Sequence, residues 1–222
     1  YGNHHAVVIE NGFTETRLTS PPREDFLSVS KKLKKQNKLI IGYFGSGSIG
    51  FQGKHKELSP LIEVINNDEE LQRRIHLIVQ GTIKVKSKTN IPSFVTILPS
   101  AQHSVIHSHM SLIDIGLSLF NDPPYHAGAV IVAKTYDYIR AGIPILGVSD
   151  PRSSSIMKKI NEVGGMHSDI NSPGSMRDQL YFILKEYDRY QSLSHLVKIQ
   201  DKNKFNRSII NKKYLTVLDE IA

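Results

Sequence analysis

The sequence predicts an α/β protein, a three-layer α/β/α sandwich on a mainly parallel, doubly wound sheet. Three observations lead there. Short β-branched runs alternate with longer stretches whose apolar residues recur at helical spacing. Most of the runs are almost continuously apolar, the pattern of strands covered on both faces. Strands that alternate with helices imply right-handed crossovers and parallel pairing. No internal repeat, low-complexity stretch or clear linker interrupts the 222 residues, so residues 1–222 read as one domain.

Taken in order, strands are expected at residues 6–10 (AVVIE), 38–44 (KLIIGYF), 75–80 (IHLIVQ), 93–98 (SFVTIL), 112–120 (LIDIGLSLF) and 144–149 (PILGVS). The first helix is expected over 22–36, after the start signal Ser20-Pro21. Helices over 57–66 and 69–74 precede the IHLIVQ strand, and one over 101–109 precedes LIDIGLSLF. A helix over 132–141 stops at Gly142 with Pro144 close behind, and one over 153–163 stops at Gly164-Gly165. From residue 175 the tail reads as two or three helices, the last over 208–221.

Composition narrows the function classes. With 39% hydrophobic and 22% charged residues, the chain belongs with soluble globular proteins and not with disordered or fibrous ones. The absence of cysteine excludes disulfides, thiolate metal sites and a cysteine nucleophile. No apolar run approaches the roughly 18 residues of a membrane span, and the start at Tyr1 shows no signal-peptide pattern. Lys plus Arg number 28 against 21 Asp plus Glu, a net charge of +7. Such a surface favours anionic partners. The basic runs KKLKK (31–35) and KVKSK (84–88) carry no interleaved aromatics, and zinc-finger spacing and RRM signatures are absent. Nucleic acid is therefore not an expected partner. The runs read as solvated faces, or as the footprint of a phosphate ligand or acidic lipid.

GSGSIG at residues 45–50 follows the KLIIGYF strand and matches the dinucleotide pattern G-x-G-x-x-G. Glycines there allow a tight turn and let backbone N–H groups approach a phosphate. Two features argue against a nicotinamide cofactor: helical pattern resumes only near His55, and the acids at the right distance, Glu69 and Glu70, sit in a helix-like stretch and not at the end of the next strand. A phosphate-binding loop and a ligand-free turn both remain open readings.

Several segments together resemble the carboxy-terminal half of a GT-B glycosyltransferase, most like the retaining family 4 group. VIENGF (8–13) resembles the segment that opens that half. IGYFGSGSIGFQGKHKELSPLIEVI (41–65) resembles its donor-diphosphate loop and helix. HLIVQG and DIGLSLF resemble two of its strands. KTYDYIRAGIPIL (134–146) resembles K-x-x-E-Y-x-A-x-G-x-P-V, the most specific match. FNRSIINKKYLTVLDEI resembles the final helix. The segments cover nearly the whole chain in the right order.

The resemblance implies a Rossmann-like donor domain with an opening segment at 1–12 and C-terminal helices over 175–222. The family's N-terminal acceptor domain is missing, so the chain alone is expected to be inactive. The implied function is transfer of a hexosyl-type sugar, with retention, from a nucleotide-sugar to a glycan or lipid-linked acceptor in polysaccharide biosynthesis. The implied location is cytoplasmic, with peripheral contact to the inner membrane face, and no cofactor or metal is expected. Alternatives are a non-catalytic nucleotide- or phosphate-binding module and an NAD(P)-binding Rossmann domain.

By the same resemblance, the backbone at Gly45, Ser46 and Gly47, together with Gly128 and Ala129 at the start of the 132–141 helix, faces the diphosphate. Lys54 matches the family's phosphate lysine, and Lys134 reaches the phosphates or is simply exposed. Asp137 matches the carboxylate that accepts from both ribose hydroxyls. Gln102 and Ser104 lie where the family holds the base. Three departures stand out: Ser46 replaces an arginine, Ala129 replaces the first glutamate of the family's pair, and Asp137 is shorter than the second by a methylene. Tyr125 or His126 is expected to take over the sugar contact that Ala129 has lost. No catalytic residue is assigned. His103 and His107 share one helix face, but no acidic partner lies near them in sequence, so they read as ordinary histidines. Asp114 reads as structural.

Overall fold

The computed structural model describes residues 12–13, 20–51, 56–120, 131–152, 154–198 and 202–221. The chain runs α1 (Glu24–Lys35), β1 (Leu39–Phe44), β2 (Gly47–Ile49), α2 (Ser59–Asn66), α3 (Glu69–Arg74), β3 (Ile75–Gln80), β4 (Ile83–Val85), β5 (Val95–Leu98), α4 (His103–Met110), β6 (Ile115–Phe120), α5 (Ala133–Ala141), β7 (Ile145–Ser149), α6 (Ser154–Glu162), β8 (Met166–Asp169), α7 (Pro173–Tyr190) and α8 (Arg207–Ile221). The expected strand at 6–10 lies outside the described residues.

Six strands form one sheet in the order β5-β3-β1-β6-β7-β8, and every pairing in it is parallel. In chain order of these six strands, this is the doubly wound 3-2-1-4-5-6 arrangement. All residues of β1, β3, β6 and β7 are buried, which is why the sequence shows near-continuous apolar runs there. Alternation along β1 divides the core. Leu39, Ile41 and Tyr43 join the apolar cluster that includes Leu61 of α2, Leu71 of α3 and Leu180 of α7. Ile40 and Phe44 join Phe26 of α1, Met110 of α4, Tyr138 of α5 and Ile160 of α6 on the other face.

Two features went unforeseen. β8 has the sequence MHSD with alternating burial, a short strand at the edge of the sheet. The glycine loop is not a turn into a helix: Gly47–Ile49 is a strand, paired in parallel with Ile83–Val85 in a separate two-stranded sheet. β1 and β3 each end in a glycine of positive φ, Gly45 (φ 132°) and Gly81 (φ 145°), and each chain then continues into the small sheet. The two turns stack so closely that a Cβ on Gly81 would lie 2.0 Å from the Gly45 carbonyl oxygen. Only glycine fits there. At the other end of the chain, Phe13 N–H donates to the Phe205 carbonyl and Arg207 N–H donates to the Phe13 carbonyl, each at 2.8 Å. The described part of the opening segment is thereby tied to the start of α8.

Candidate functional site

In a doubly wound sheet, ligands bind beyond the carboxyl ends of the strands where the winding reverses. Here that point lies between β1 and β6. Two things meet at it: the Gly45–Ser46 turn that follows β1, and α5, which follows β6.

Side-chain anchors fix how α5 sits. Thr135 Oγ1 is 2.9 Å from Ser118 Oγ of β6. One turn on, the fully buried Tyr138 donates its hydroxyl to the carbonyls of Gly42 (3.2 Å) and Leu117 (3.1 Å), bridging β1 and β6. Its ring lies flat against Gly116, where a Cβ would come within 2.6 Å of it. With Thr135 and Tyr138 on the sheet side, Lys134 and Asp137 occupy the neighbouring stripe three residues apart.

Lys134 reaches back over β1. Its Nζ sits 3.5 Å above the Tyr43 ring and 3.2 Å from where a Cβ on Gly45 would lie. That nitrogen is buried and has no hydrogen-bond partner among the described residues. Burial, reinforced by the nearby positive charge of Lys56, pushes its pKa well below the ordinary lysine value. An unpaired amine in that position costs stability unless something anionic arrives to meet it. Lys134 thus reaches inward over the turn and is not simply exposed.

Lys56 was missed by the sequence reading, which favoured Lys54. Lys56 Nζ lies 3.4 Å from Ser46 Oγ, on the same turn that Lys134 approaches. The sequence signal is slight: Lys56 stands three residues before the start of α2 at Ser59, and Lys54 two residues farther back. Lys54, Tyr125, His126, Gly128 and Ala129 all lie outside the described residues.

The glycine N–H groups behave differently from expectation. Gly45 N–H donates to the Gln80 carbonyl at 2.9 Å and Gly47 N–H donates to the Thr82 carbonyl at 3.2 Å. Parallel pairing beside β3 consumes both, so these glycines shape the turn and do not offer donors. The turn is also held from outside. Glu57 accepts from Ser48 Oγ (2.6 Å), Gly50 N–H (2.8 Å), Phe51 N–H (3.2 Å) and both the N–H and hydroxyl of Ser59. The Tyr43 hydroxyl donates to the Ser46 carbonyl at 2.6 Å.

Asp137 points toward α4, which packs against α5. Its Oδ1 lies 3.4 Å from His103 Nε2 and 3.3 Å from His107 Nε2. Gln102 immediately precedes α4 and the exposed end of that helix carries Ser104 in its first turn. Asp114 serves the fold: it accepts from Ile40 N–H at 2.8 Å and pairs with Lys34. At the end of β3, where a nicotinamide fold places its ribose acid, stands the buried Gln80, bonded to His109 Nδ1 at 2.7 Å.

Known proteins match this arrangement as follows. No protein-family model matches the chain. Over 78 residues, 35% of the chain, it is 30% identical to the putative teichuronic acid biosynthesis glycosyltransferase TuaH of Bacillus subtilis (strain 168), a stretch amounting to 19% of that protein. Among solved structures, Alr3699/HepE of Anabaena, determined with UDP and glucose, superposes with a TM-score of 0.66 at 14% identity, over 96% of this chain and 57% of that one. Sucrose-phosphate synthase of Thermosynechococcus elongatus gives 0.61 at 12%, over 96% and 52%. A glycosyltransferase of Rickettsia africae ESF-5 gives 0.61 at 14%, over 97% and 57%. The chain thus spans about half the length of these structures, and it has the Rossmann-like α/β/α fold found in GT-B glycosyltransferases.

Proposed function

We propose that this chain is the donor-binding part of a glycosyltransferase, holding a nucleotide-sugar for transfer to a glycan or lipid-linked acceptor with retention at the sugar carbon. The observation that carries the reading is the buried, unpartnered Lys134 amine beside the Gly45–Ser46 turn. A diphosphate laid at the switch point supplies the counter-charge this amine lacks and so favours its protonated form. In transfer the departing diphosphate gains negative charge, and cations already in place stabilise it without reorganisation. Lys134 and Lys56 hold these positions, and Lys56 adds the charge that Ser46, standing in the arginine position, does not bring. Asp137 turns its carboxylate from the α4 histidines to the ribose hydroxyls, with Gln102 and Ser104 beside the base.

Transfer requires no metal in this scheme and depends on a second, acceptor-binding domain, because a reaction squeezed between two halves needs both for positioning. Exposed Tyr214, Leu215 and Leu218 on α8 are apolar surface such a domain covers. HepE was determined with UDP and glucose, so UDP is the first nucleotide to try. A cytoplasmic site of action, with the basic surface meeting an anionic membrane where lipid-linked acceptors reside, completes the proposal. The position of Ala129 favours a second reading, a non-catalytic nucleotide module, because that residue replaces a carboxylate that contacts the sugar in the resembling family. An NAD(P) site is disfavoured by Gln80 at the end of β3.

The test is calorimetric titration with UDP, GDP, ADP, CMP and NAD in the presence of EDTA, repeated with Lys134→Met and Asp137→Asn. Preference for one nucleoside diphosphate, weakened in both variants, supports the donor reading. Selective NAD binding, or nucleotide binding indifferent to both variants, overturns it. Donor turnover by the chain joined to its acceptor domain then separates enzyme from module.

A further inference from the structure

His103, His107 and Asp137 form a cluster that the proposed donor chemistry does not use as a unit. The two histidines lie four residues apart on α4, and the acid that their sequence neighbourhood lacks is delivered by α5. One ring nitrogen of His103, one of His107 and a carboxylate oxygen of Asp137 all lie within 4.8 Å of one another. In a tetrahedral zinc site with bonds of about 2.0–2.1 Å, ligand atoms stand about 3.4 Å apart. The two histidine-to-aspartate distances, 3.4 and 3.3 Å, already have that length. The histidine rings meet edge to face, with centroids 4.6 Å apart, so they converge without stacking.

The surroundings suit a cation of intermediate softness. Two imidazoles and one carboxylate are a zinc-type ligand set, and a water can complete the fourth position. His107, 7% exposed, is a fixed ligand, whereas His103, 65% exposed, has room to swing and close the remaining edge. Arg140 Nη1 lies 3.4 Å from His107 Nε2. That contact is long enough to yield to an arriving ion.

We infer that His103, His107 and Asp137 bind a divalent zinc ion, and that this ion and the nucleotide exclude one another. The exclusion rests on the donor reading, because it needs Asp137 for the ribose. The metal site itself does not depend on that reading. Zinc here is an inhibitor that withdraws the ribose carboxylate, not a participant in transfer.

The experiment is calorimetric titration of the 222-residue chain with ZnCl2 in a non-chelating buffer, without nucleotide. The expected result is saturable binding at one ion per chain, weakened by about tenfold or more in His103→Ala and in His107→Ala. His195→Ala, which removes a histidine paired with Glu186 elsewhere, is expected to leave it unchanged. Since His103 is exposed, its variant folds normally, and far-UV circular dichroism verifies this for both. Cobalt(II) in place of zinc is expected to give the intense visible absorption of tetrahedral geometry. Absence of saturable zinc binding, or binding that neither variant weakens, overturns the site. In a second arm UDP is titrated with and without zinc. Loss of UDP affinity in zinc that His103→Ala relieves supports exclusion, and simultaneous binding of both overturns it. The titration in EDTA described above decides the donor reading separately.

Discussion

Replacing Lys134 by methionine separates a site waiting for an anion from one that merely packs well. The side chains are of similar length, and the thioether chain can follow the same path over the Tyr43 ring. Without nucleotide the substitution removes a buried donor that has no partner among the described residues, returning about 1–3 kcal/mol. It also forfeits the contact of Nζ with the Tyr43 ring, 3.5 Å from the centroid, worth about 0.5–2 kcal/mol. The balance is a gain of about 1 kcal/mol, which raises the melting temperature of a chain this size by about 2–4 °C. With a nucleoside diphosphate the sign reverses. A charge-assisted bond worth about 1.5–3 kcal/mol is lost, so the dissociation constant rises about 10- to 150-fold. Differential scanning fluorimetry and calorimetric titration read the two effects on one preparation. Unchanged nucleotide affinity, or a fall in melting temperature, refutes the argument, because either means the amine is already satisfied within the fold.

Other perturbations have equally definite outcomes. Gly116→Ala drives a methyl group to 2.6 Å from the Tyr138 ring, costing about 1–3 kcal/mol in urea unfolding and weakening nucleotide binding by displacing α5. Asp114→Ala removes the acceptor for Ile40 N–H and the partner of Lys34, lowering stability by about 1–3 kcal/mol without changing nucleotide affinity. His76 and His109, both buried, have pKa values lowered to about 4, first by burial. The fold holds them neutral while the unfolded chain protonates them below about 6.5. Their contribution is complete above that pH and is lost as pH falls toward 4. Urea unfolding at about pH 7 and 4.5 is expected to show about 2 kcal/mol lost per histidine, and His76→Leu to show a smaller acid loss.

Sequence pattern made much of this structure legible, for identifiable reasons. β1, β3, β6 and β7 are buried on both faces, and continuous burial writes itself into composition. β8 stayed hidden because an edge strand of four residues, with only Met166 and Ser168 buried, leaves no apolar run. β2 and β4 stayed hidden because three-residue strands of GSI and IKV give the core only Ile49 and Ile83, too few apolar residues to form a run. Within the site, the motif KTYDYIRAG marked Lys134 and Asp137 as candidates. Their environments were not legible, because the burial of Lys134 comes from Tyr43, 91 residues earlier, and the neighbours of Asp137 come from a helix about 30 residues away. Lys56 was overlooked because two lysines two residues apart differ only in how they meet the start of α2.

The carboxylate of Glu57 also bears on time. By accepting from Ser48, Gly50, Phe51 and Ser59 together, it completes the turn before any ligand is present. On the proposed donor reading, a nucleotide arriving at Ser46 meets standing walls and pays little for ordering them. Its arrival is governed by diffusion and by attraction toward two lysines, terms nearly equal for every nucleoside diphosphate. Discrimination among bases then falls on departure: stopped-flow mixing is expected to show similar association rates throughout, with the preferred nucleotide distinguished by how long it stays.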